Sequence, residues 1–546
     1  MAAEAFTPKV FTTFREGYGP ARLRADVLAG LTVAIVALPL AMALGIASGA
    51  SPREGLVTAI VAGFLISALG GSRVQIGGPT GAFVVIVAGV IAAHGLSGLV
   101  LATLIAGLVL IGAGYAGVGR LMRFVPMPVI TGFTAGIAVI IASSQVGDVL
   151  GLRAGAVPAE FVEKWIAYIR ALDTVNWAAL GIGVGTLGLI LLLRRFAPRV
   201  PAYLAAIVAS GFIVWAFGLP VETVGSRFGR MPAGLPWPHL PEMSLQAVRD
   251  VLPSAFTIAF LAGIEALLSA AVADGMTGYR HRPNQELVGM GVANIASSLF
   301  GGLPATGAIA RTATNIRAGA LTPMAGMFHA LFLLLFLLLA SVLIGYVPMA
   351  ALAAILLMVA WGMSESERFV ALLRSDPGER ALLLLTFALT VLVDLTVAIG
   401  VGVTLAALLF MRRMSEHAGL VSVDPDEDPD QRANLPEGVE VFRFTGPIFF
   451  GVASEMLEAL RRIGRSPRAV ILRMEQVPYI DATGAAALET FVRQAAWSNV
   501  EVWLCGLQRK PLDFLMRMEP RYAGAHRALT YEGALKQLAR ASHDVG

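Results

Sequence analysis

Glu265 is the residue whose chemistry stands out first. It interrupts the apolar run 258–272, where a charge at mid-membrane costs roughly 2.5–3.5 kcal/mol on insertion scales. Ser269 follows one helical turn later on the same face. A carboxylate beside a hydroxyl offers oxygen ligands to Na⁺. Alternatively the carboxylate carries a proton, or it is a structural acid paired with a buried base. Arg311 lies in Ala308-Ile309-Ala310-Arg311-Thr312-Ala313-Thr314-Asn315. Its guanidinium can draw an anion by charge and forked hydrogen bonding, or it can neutralise Glu265. Thr312, Thr314 and Asn315 suit a different task, satisfying backbone between helices.

Two short segments would have to position these groups. Gly77-Gly78-Pro79-Thr80-Gly81-Ala82 and Pro304-Ala305-Thr306-Gly307-Ala308 each give Pro, Thr, Gly and Ala in that order, one in each half of the apolar chain. Pro suits the first turn of a helix that begins there. A helix starting inside a membrane presents unpaired N–H groups and a positive dipole end, which is a site for an anion. Paired interruptions at corresponding places in two halves point to a transporter's binding site. Pro39 interrupts the first span, shaping the same cavity or, the preferred reading, making a plain kink.

The composition sets the environment. Of 546 residues, 56% are hydrophobic and only 14% charged, against about 25% charged in a soluble domain; the mean hydropathy is +0.74. Apolar segments run roughly 27–47, 53–70, 79–94, 97–118, 124–147, 176–194, 200–218, 253–273, 285–300, 304–319, 322–345, 348–362, 379–394 and 396–411. The third and tenth are too short or too polar to cross alone. Arg73-Val74-Gln75-Ile76 and Gly301-Gly302-Leu303 are expected to complete them as extended backbone, tolerated only inside protein or along a cavity. Fourteen crossings return the chain to its starting side. Arg120 and Arg123, Arg194 and Arg195, Arg280 and Arg282, and Arg412 and Arg413 all fall there, which makes it the cytoplasm. Halves of seven crossings have opposite orientation, so the repeat is expected to be inverted. The loops near 148–175 and 219–250 are expected to face out.

The expected domains are an N-terminal cytoplasmic tail (1–25), a transmembrane transport domain (26–414), an acidic linker (415–437) and a cytoplasmic α/β domain (438–546). The linker holds Asp424-Pro425-Asp426-Glu427-Asp428-Pro429-Asp430. Beyond it, strands are expected at 439–444, 469–472 and 500–504, with helices near 452–463, from about 483, and at the end. Asp481 reads as a helix cap, or Thr483 as a phosphorylation or nucleotide contact. A single cysteine, Cys505, excludes an internal disulfide. His94 and His329 lack ligand spacing. With no Walker-type loop, Ser/His/Asp signature or Cys/His cluster, neither an enzyme nor a cofactor is expected. The net charge of +4 is too weak to imply a nucleic-acid partner.

These motifs together resemble the SulP (sulfate permease) family of anion transporters, whose animal branch includes sulfate and chloride exchangers. The resemblance rests on 37–49, Gly77-Gly78-Pro79-Thr80-Gly81, Ile264-Glu265-Ala266-Leu267-Leu268, 307–315 and the tail, which resembles a STAS domain. It implies a 7+7 inverted repeat shared with uracil permeases, core and gate domains in elevator-like motion, and a homodimer. It implies anion binding around Thr80, Gly81, Ala82, Phe83, Thr306, Gly307 and Ala308. Several members carry a Ser before the tenth-segment Arg; here it is Ala310, leaving its backbone N–H. Where Na⁺-dependent bicarbonate members have Asp and Thr, this chain has Glu265 and Ser269, which favours H⁺ over Na⁺ as coupling ion. Asp481-Ala482-Thr483-Gly484 matches the STAS phosphorylation region loosely. The expected function is secondary active transport of bicarbonate, sulfate or a C4-dicarboxylate across a bacterial cytoplasmic membrane, both termini inside. The STAS domain would meet a cytoplasmic partner. An Na⁺-coupled bicarbonate symporter, an uncoupled anion channel and an anion sensor are the other readings.

Overall fold

The computed structural model describes residues 6–543 apart from 121–125, 156, 159, 199, 231, 242, 394, 417–418, 423–434, 437, 450–466 and 518–524. The expected helix at 452–463, the acidic run 424–430 and Arg123 lie outside the described residues. Two compact units result, 1–403 and 404–546.

The first unit opens with a short helix α1 (Lys9–Arg15) and then α2 (Pro20–Ala47), which starts at a proline in its first turn. α2 continues through Pro39, which a membrane helix tolerates because neighbouring elements can satisfy the freed backbone group. In α3 (Pro52–Leu69) Ser51 and Glu54 form a capping box. Strand β1 (Gly77–Gly78) precedes α4 (Phe83–Tyr115), which Gly95, at φ 69°, splits into two crossings. After α5 (Met127–Leu150) and a short amphipathic α6 (Phe161–Arg170) come α7 (Trp177–Phe196), α8 (Ala202–Phe217) and a one-turn α9 (Val224–Phe228).

The second half repeats the order: α10 (Leu245–Thr277), α11 (Pro283–Leu299), strand β2 (Thr306–Gly307), α12 (Ile309–Arg317), α13 (Met324–Ile344), α14 (Met349–Met363), a short α15 (Ser366–Leu373), α16 (Pro377–Leu392) and α17 (Leu395–Glu416). Among the described residues nine helices are by themselves long and apolar enough to cross a bilayer. Shorter helices and the two strand-plus-helix segments supply the rest of the fourteen segments.

The halves are related by inversion, and the packing shows it. α13 lies on α2 and α3, as α4 lies on α10 and α11; α5 lies on α16 as α14 lies on α7. At the centre β1 and β2 pair antiparallel, Gly77 opposite Gly307 and Gly78 opposite Thr306. Pro79 and Pro304 sit in these extended crossings, several residues before α4 and α12 begin, so the expectation that they open the helices is corrected. A strand pair inside the membrane needs both edges satisfied, and moving the helix starts inward makes room for it.

Side chains satisfy the remaining backbone. Asn294 accepts from Ala305 N–H (2.8 Å) and donates to Ala305 C=O (2.9 Å). Thr58 Oγ1 accepts from Leu303 N–H at 2.6 Å, and Ser297 donates to Leu303 C=O at 2.8 Å. At the edge near the N-terminus, Glu286 accepts from Gly71 and Ser72 N–H at 2.7 and 2.9 Å, and Lys9 N–H reaches Gly70 C=O at 3.1 Å.

The second unit is a five-stranded sheet in the order β3 (Gly419–Ser422), β4 (Val439–Thr445), β5 (Ala469–Gln476), β6 (Glu501–Cys505) and β7 (Ala525–Ala528), with β3 antiparallel to its neighbour and the others parallel. β3 lies within the stretch read as linker and β7 was not expected; at four residues each they are too short to show alternation. Alternate residues of β5 feed two cores. Val470 and Leu472 pack under α18 (Ala482–Trp497), and Ala469 and Ile471 under α20 (Tyr531–His543), with α19 (Arg509–Arg517) adding Leu515 to the first.

Two predictions follow from these contacts. Asn294→Ala leaves a buried peptide unpaired and should cost about 1–3 kcal/mol, read as a lower thermal midpoint in detergent; an unchanged midpoint would show that the amide does not hold the crossing. Cys505 is fully buried, and burial pushes its thiol up to about 12. Since a raised thiol stays protonated below that value, the folded protein should resist maleimide at pH 8 and react once denatured. Fast labelling of the native protein would contradict the burial.

Candidate functional site

The two half-helices α4 and α12 begin side by side because β1 and β2 lock their leads together. Ala308 N–H donates to Ile76 C=O at 2.8 Å, Ile76 N–H to Thr312 Oγ1 at 3.0 Å, and Asn315 Nδ2 to Val74 C=O at 2.9 Å. Thr312 and Asn315 therefore serve backbone, and Thr314 bonds back to Ala310 C=O at 2.8 Å.

At the start of α4 the N–H groups of Phe83 and Val84 turn back to Thr80 and Gly81 C=O at 3.2 and 3.1 Å. Among the described residues the N–H groups of Gly81 and Ala82 have no such bond, nor do those of Ile309, Ala310 and Arg311 in the first turn of α12, where helix geometry leaves them orphaned. Neither helix has a side-chain cap. Ile309 and Ala310 are exposed to the space in front of them. Two uncapped helix starts facing one space offer several aligned donors and two positive dipole ends, a setting that holds a small anion.

Glu265 lies on α10 across this space. Thr80 Oγ1 donates to its Oε2 at 2.9 Å; among the described residues it forms no ion pair, though the Arg311 guanidinium is near enough to act on it through charge. Glu265 is half-buried. Below it, Leu268, Ala271, Val272, Gly275 and Met276 form an exposed or half-buried stripe towards the Thr277 end of α10, the end beside Arg280 and Arg282. In the outer half the exposed side chains, Leu252 and Phe256, lie on a different face. The stripe leads from Glu265 to the end of α10 that carries the arginine loop.

Arg311 is buried behind the cradle. Its Nη2 donates to Pro79 C=O, while Nη1 has no hydrogen-bond partner and lies where a methyl on Gly78 would come within 2.7 Å. The guanidinium thus ties α12 to the lead of α4 and adds positive charge beneath the donors. Ser269 is fully buried and pairs with Thr312 Oγ1 at 3.2 Å, so it faces the α12 seam. Thr306 Oγ1 donates to Ala262 C=O at 2.8 Å, and Gln75 Nε2 to Ala266 C=O at 3.2 Å. A side chain at Gly307 would run into the Gln75 amide, which explains the glycine.

Two further residues escaped sequence reasoning. A Cβ on Gly81 would come within 2.5 Å of Met363 Sδ and 3.1 Å of Ile141 Cδ1. These apolar side chains, from α14 and α5, close over the start of α4. Nothing in their local sequence separates them from ordinary span residues. In the second unit Asp481 accepts from Gly484 N–H at 2.7 Å and caps α18; Thr483 is exposed beside it.

Such a two-half-helix cradle on an inverted repeat invites comparison with known transporters. The profile of the sulfate permease family matches residues 23–386. The chain belongs to this family. A STAS domain profile matches 431–519. The chain is 40% identical over 502 residues to YvdB of Bacillus subtilis (strain 168), covering 92% of this chain and 94% of that protein. It is 32% identical over 506 residues to the bicarbonate transporter BicA of Picosynechococcus sp., covering 89% and 88%. Among solved structures, that of SLC26A9 superposes with a TM-score of 0.87 at 17% identity, covering 100% of this chain and 94% of that one, which shows the shared fold. The transmembrane domain of a cyanobacterial BicA matches with a TM-score of 0.64 at 32% identity, covering 70% and 98%. This family member is therefore a multi-pass membrane anion transporter, not an enzyme.

The apolar cover over Gly81 is testable. Gly81→Val should lower anion uptake into proteoliposomes at least ten-fold without loss of folded protein, and adding Met363→Ala should recover part of it. Full uptake by Gly81→Val alone would show that the helix start and the cover are not in contact during transport.

Proposed function

We propose that this family member is an H⁺-coupled symporter of a small oxyanion, with Glu265 as the proton carrier. The observation that carries the reading is the Thr80–Glu265 hydrogen bond at 2.9 Å, which joins the membrane carboxylate to the first residue of the cradle. The anion would lie against the N–H groups of Gly81, Ala82 and Ala310, flanked by Thr80, Phe83, Thr306, Gly307 and Ala308, with Arg311 supplying charge from behind. An ionised Glu265 beside that cradle repels an incoming anion; in a low-dielectric site such repulsion is large. A proton on Glu265 removes it, so proton and anion enter together and leave together, which is a coupling free energy between two sites.

One observation supports H⁺ over Na⁺: the Ser269 hydroxyl is engaged by Thr312 rather than turned to Glu265. The substrate is bicarbonate, as the name of BicA suggests, sulfate, as the family's does, or a C4-dicarboxylate; backbone donors accept each. In our reading α2–α4 and α10–α13 form a core that slides as an elevator against a gate of α5, α7, α8, α14, α16 and α17. The protein is a homodimer in a bacterial cytoplasmic membrane with both termini inside. Its STAS unit meets a cytoplasmic partner through the helix start at Asp481 and Thr483.

Uptake of labelled bicarbonate, sulfate and fumarate into proteoliposomes tests this. An imposed pH gradient should concentrate one of them in the wild type, while Glu265→Gln should exchange it without concentrating it. Accumulation driven by Na⁺ alone, or none under either gradient, would overturn the proton assignment; the latter would favour a channel or sensor.

A further inference from the structure

A cavity of about 440 Å³ lies away from the cradle, at the end of the transport unit opposite the arginine-bearing loops. Its floor is the start of α3, the bend of α4 after Gly95 and the turn after α11; its roof is the strap Pro236-Trp237-Pro238-His239-Leu240-Pro241. The strap is fastened to the floor by His239 N–H, which donates to Leu299 C=O at 2.8 Å.

The cavity contains an unanswered cation. Among the described residues Arg53 Nε is buried with no hydrogen-bond partner, and Arg53 forms no ion pair. Its neighbour Glu54 also lines the cavity, but among the described residues the two form no ion pair, and Glu54 Oε2 turns to Ser51, accepting from its N–H at 2.8 Å and from its hydroxyl. The His239 ring lines the same space, and its Nδ1 has only a long 3.5 Å approach to Trp237 C=O. A buried donor on a charged group left without an acceptor is costly, so an acceptor from outside the chain has a reason to bind. Apart from Glu54 and Ser97, the other side chains of the wall are apolar, Val57, Leu96, Val100, Leu240 and Phe300 among them. One cationic end, apolar walls and a volume in the usual ligand range specify the guest.

We propose that this cavity is a second anion site, on the outer face, for a monocarboxylate with an apolar body. The carboxylate lies on the Arg53 guanidinium with His239 as its second contact, and the body fills the space beneath Leu240. Inorganic oxyanions lack that body, and a dianion would place its second charge among apolar walls. The site is separate from the transport cradle and does not depend on which anion is carried or on the coupling ion.

The test is equilibrium binding of radiolabelled benzoate to the full-length protein in nanodiscs. Saturable binding is expected, displaced by unlabelled benzoate but not by benzamide. Arg53→Gln should weaken it at least ten-fold, and so should Leu240→Trp, which fills the cavity and leaves the cation in place. Arg311→Gln should leave it within two-fold. Absence of saturable binding, equal displacement by benzamide, retention in Arg53→Gln and Leu240→Trp, or loss in Arg311→Gln would each overturn the site, the last assigning benzoate to the cradle.

Discussion

Everything in the transport unit depends on satisfying extended backbone inside a bilayer. An unpaired N–H or C=O there costs several kcal/mol, and two stretches of the chain cross without helical bonds. They answer each other through the Gly77–Gly307 and Gly78–Thr306 pairs. What the pairs leave over is taken by Thr58, Asn294, Thr312 and Asn315, each directed at a named peptide of the crossing. These polar side chains are not substrate groups. They hold two helix starts in register, and the register creates the cradle.

The glycines follow from the same constraint. Gly307 lies against the Gln75 amide and Gly78 against the Arg311 guanidinium, positions where any Cβ would separate the pieces being joined. Arg311 then occupies a place that explains its dual character. It binds the Pro79 carbonyl, which makes it a structural tie. In the proposed function its charge also favours an anion at the orphaned donors without gripping one. A backbone cradle of this kind is permissive towards small oxyanions, which is consistent with relatives named for different ones.

The two units solve their packing differently. In the membrane unit small residues allow helix backbones to approach, as where Gly107 and Gly291 face each other's carbonyls, since lipid supplies no hydrophobic drive for association. In the STAS unit water does supply it, and alternation along β5 divides the apolar side chains between two cores.

By itself the sequence determined the class of protein, the order of spans and the inverted halves, and it singled out Glu265, Arg311 and the two Pro-Thr-Gly-Ala segments as candidates. Those readings rest on hydropathy, charge placement and internal repetition, all local properties of the chain. It also anticipated that Thr312, Asn315 and Asp481 serve backbone, because residue type limits what such side chains do. Only the tertiary structure decided that β1 pairs with β2, that the prolines precede the helix starts, that Ser269 turns to Thr312 while Glu265 turns to Thr80, and that Met363 and Ile141 lie over Gly81. Each of these is a meeting of residues from distant segments. Which rotamer faces which neighbour is set by packing after the helices assemble, and no periodicity within one segment encodes it.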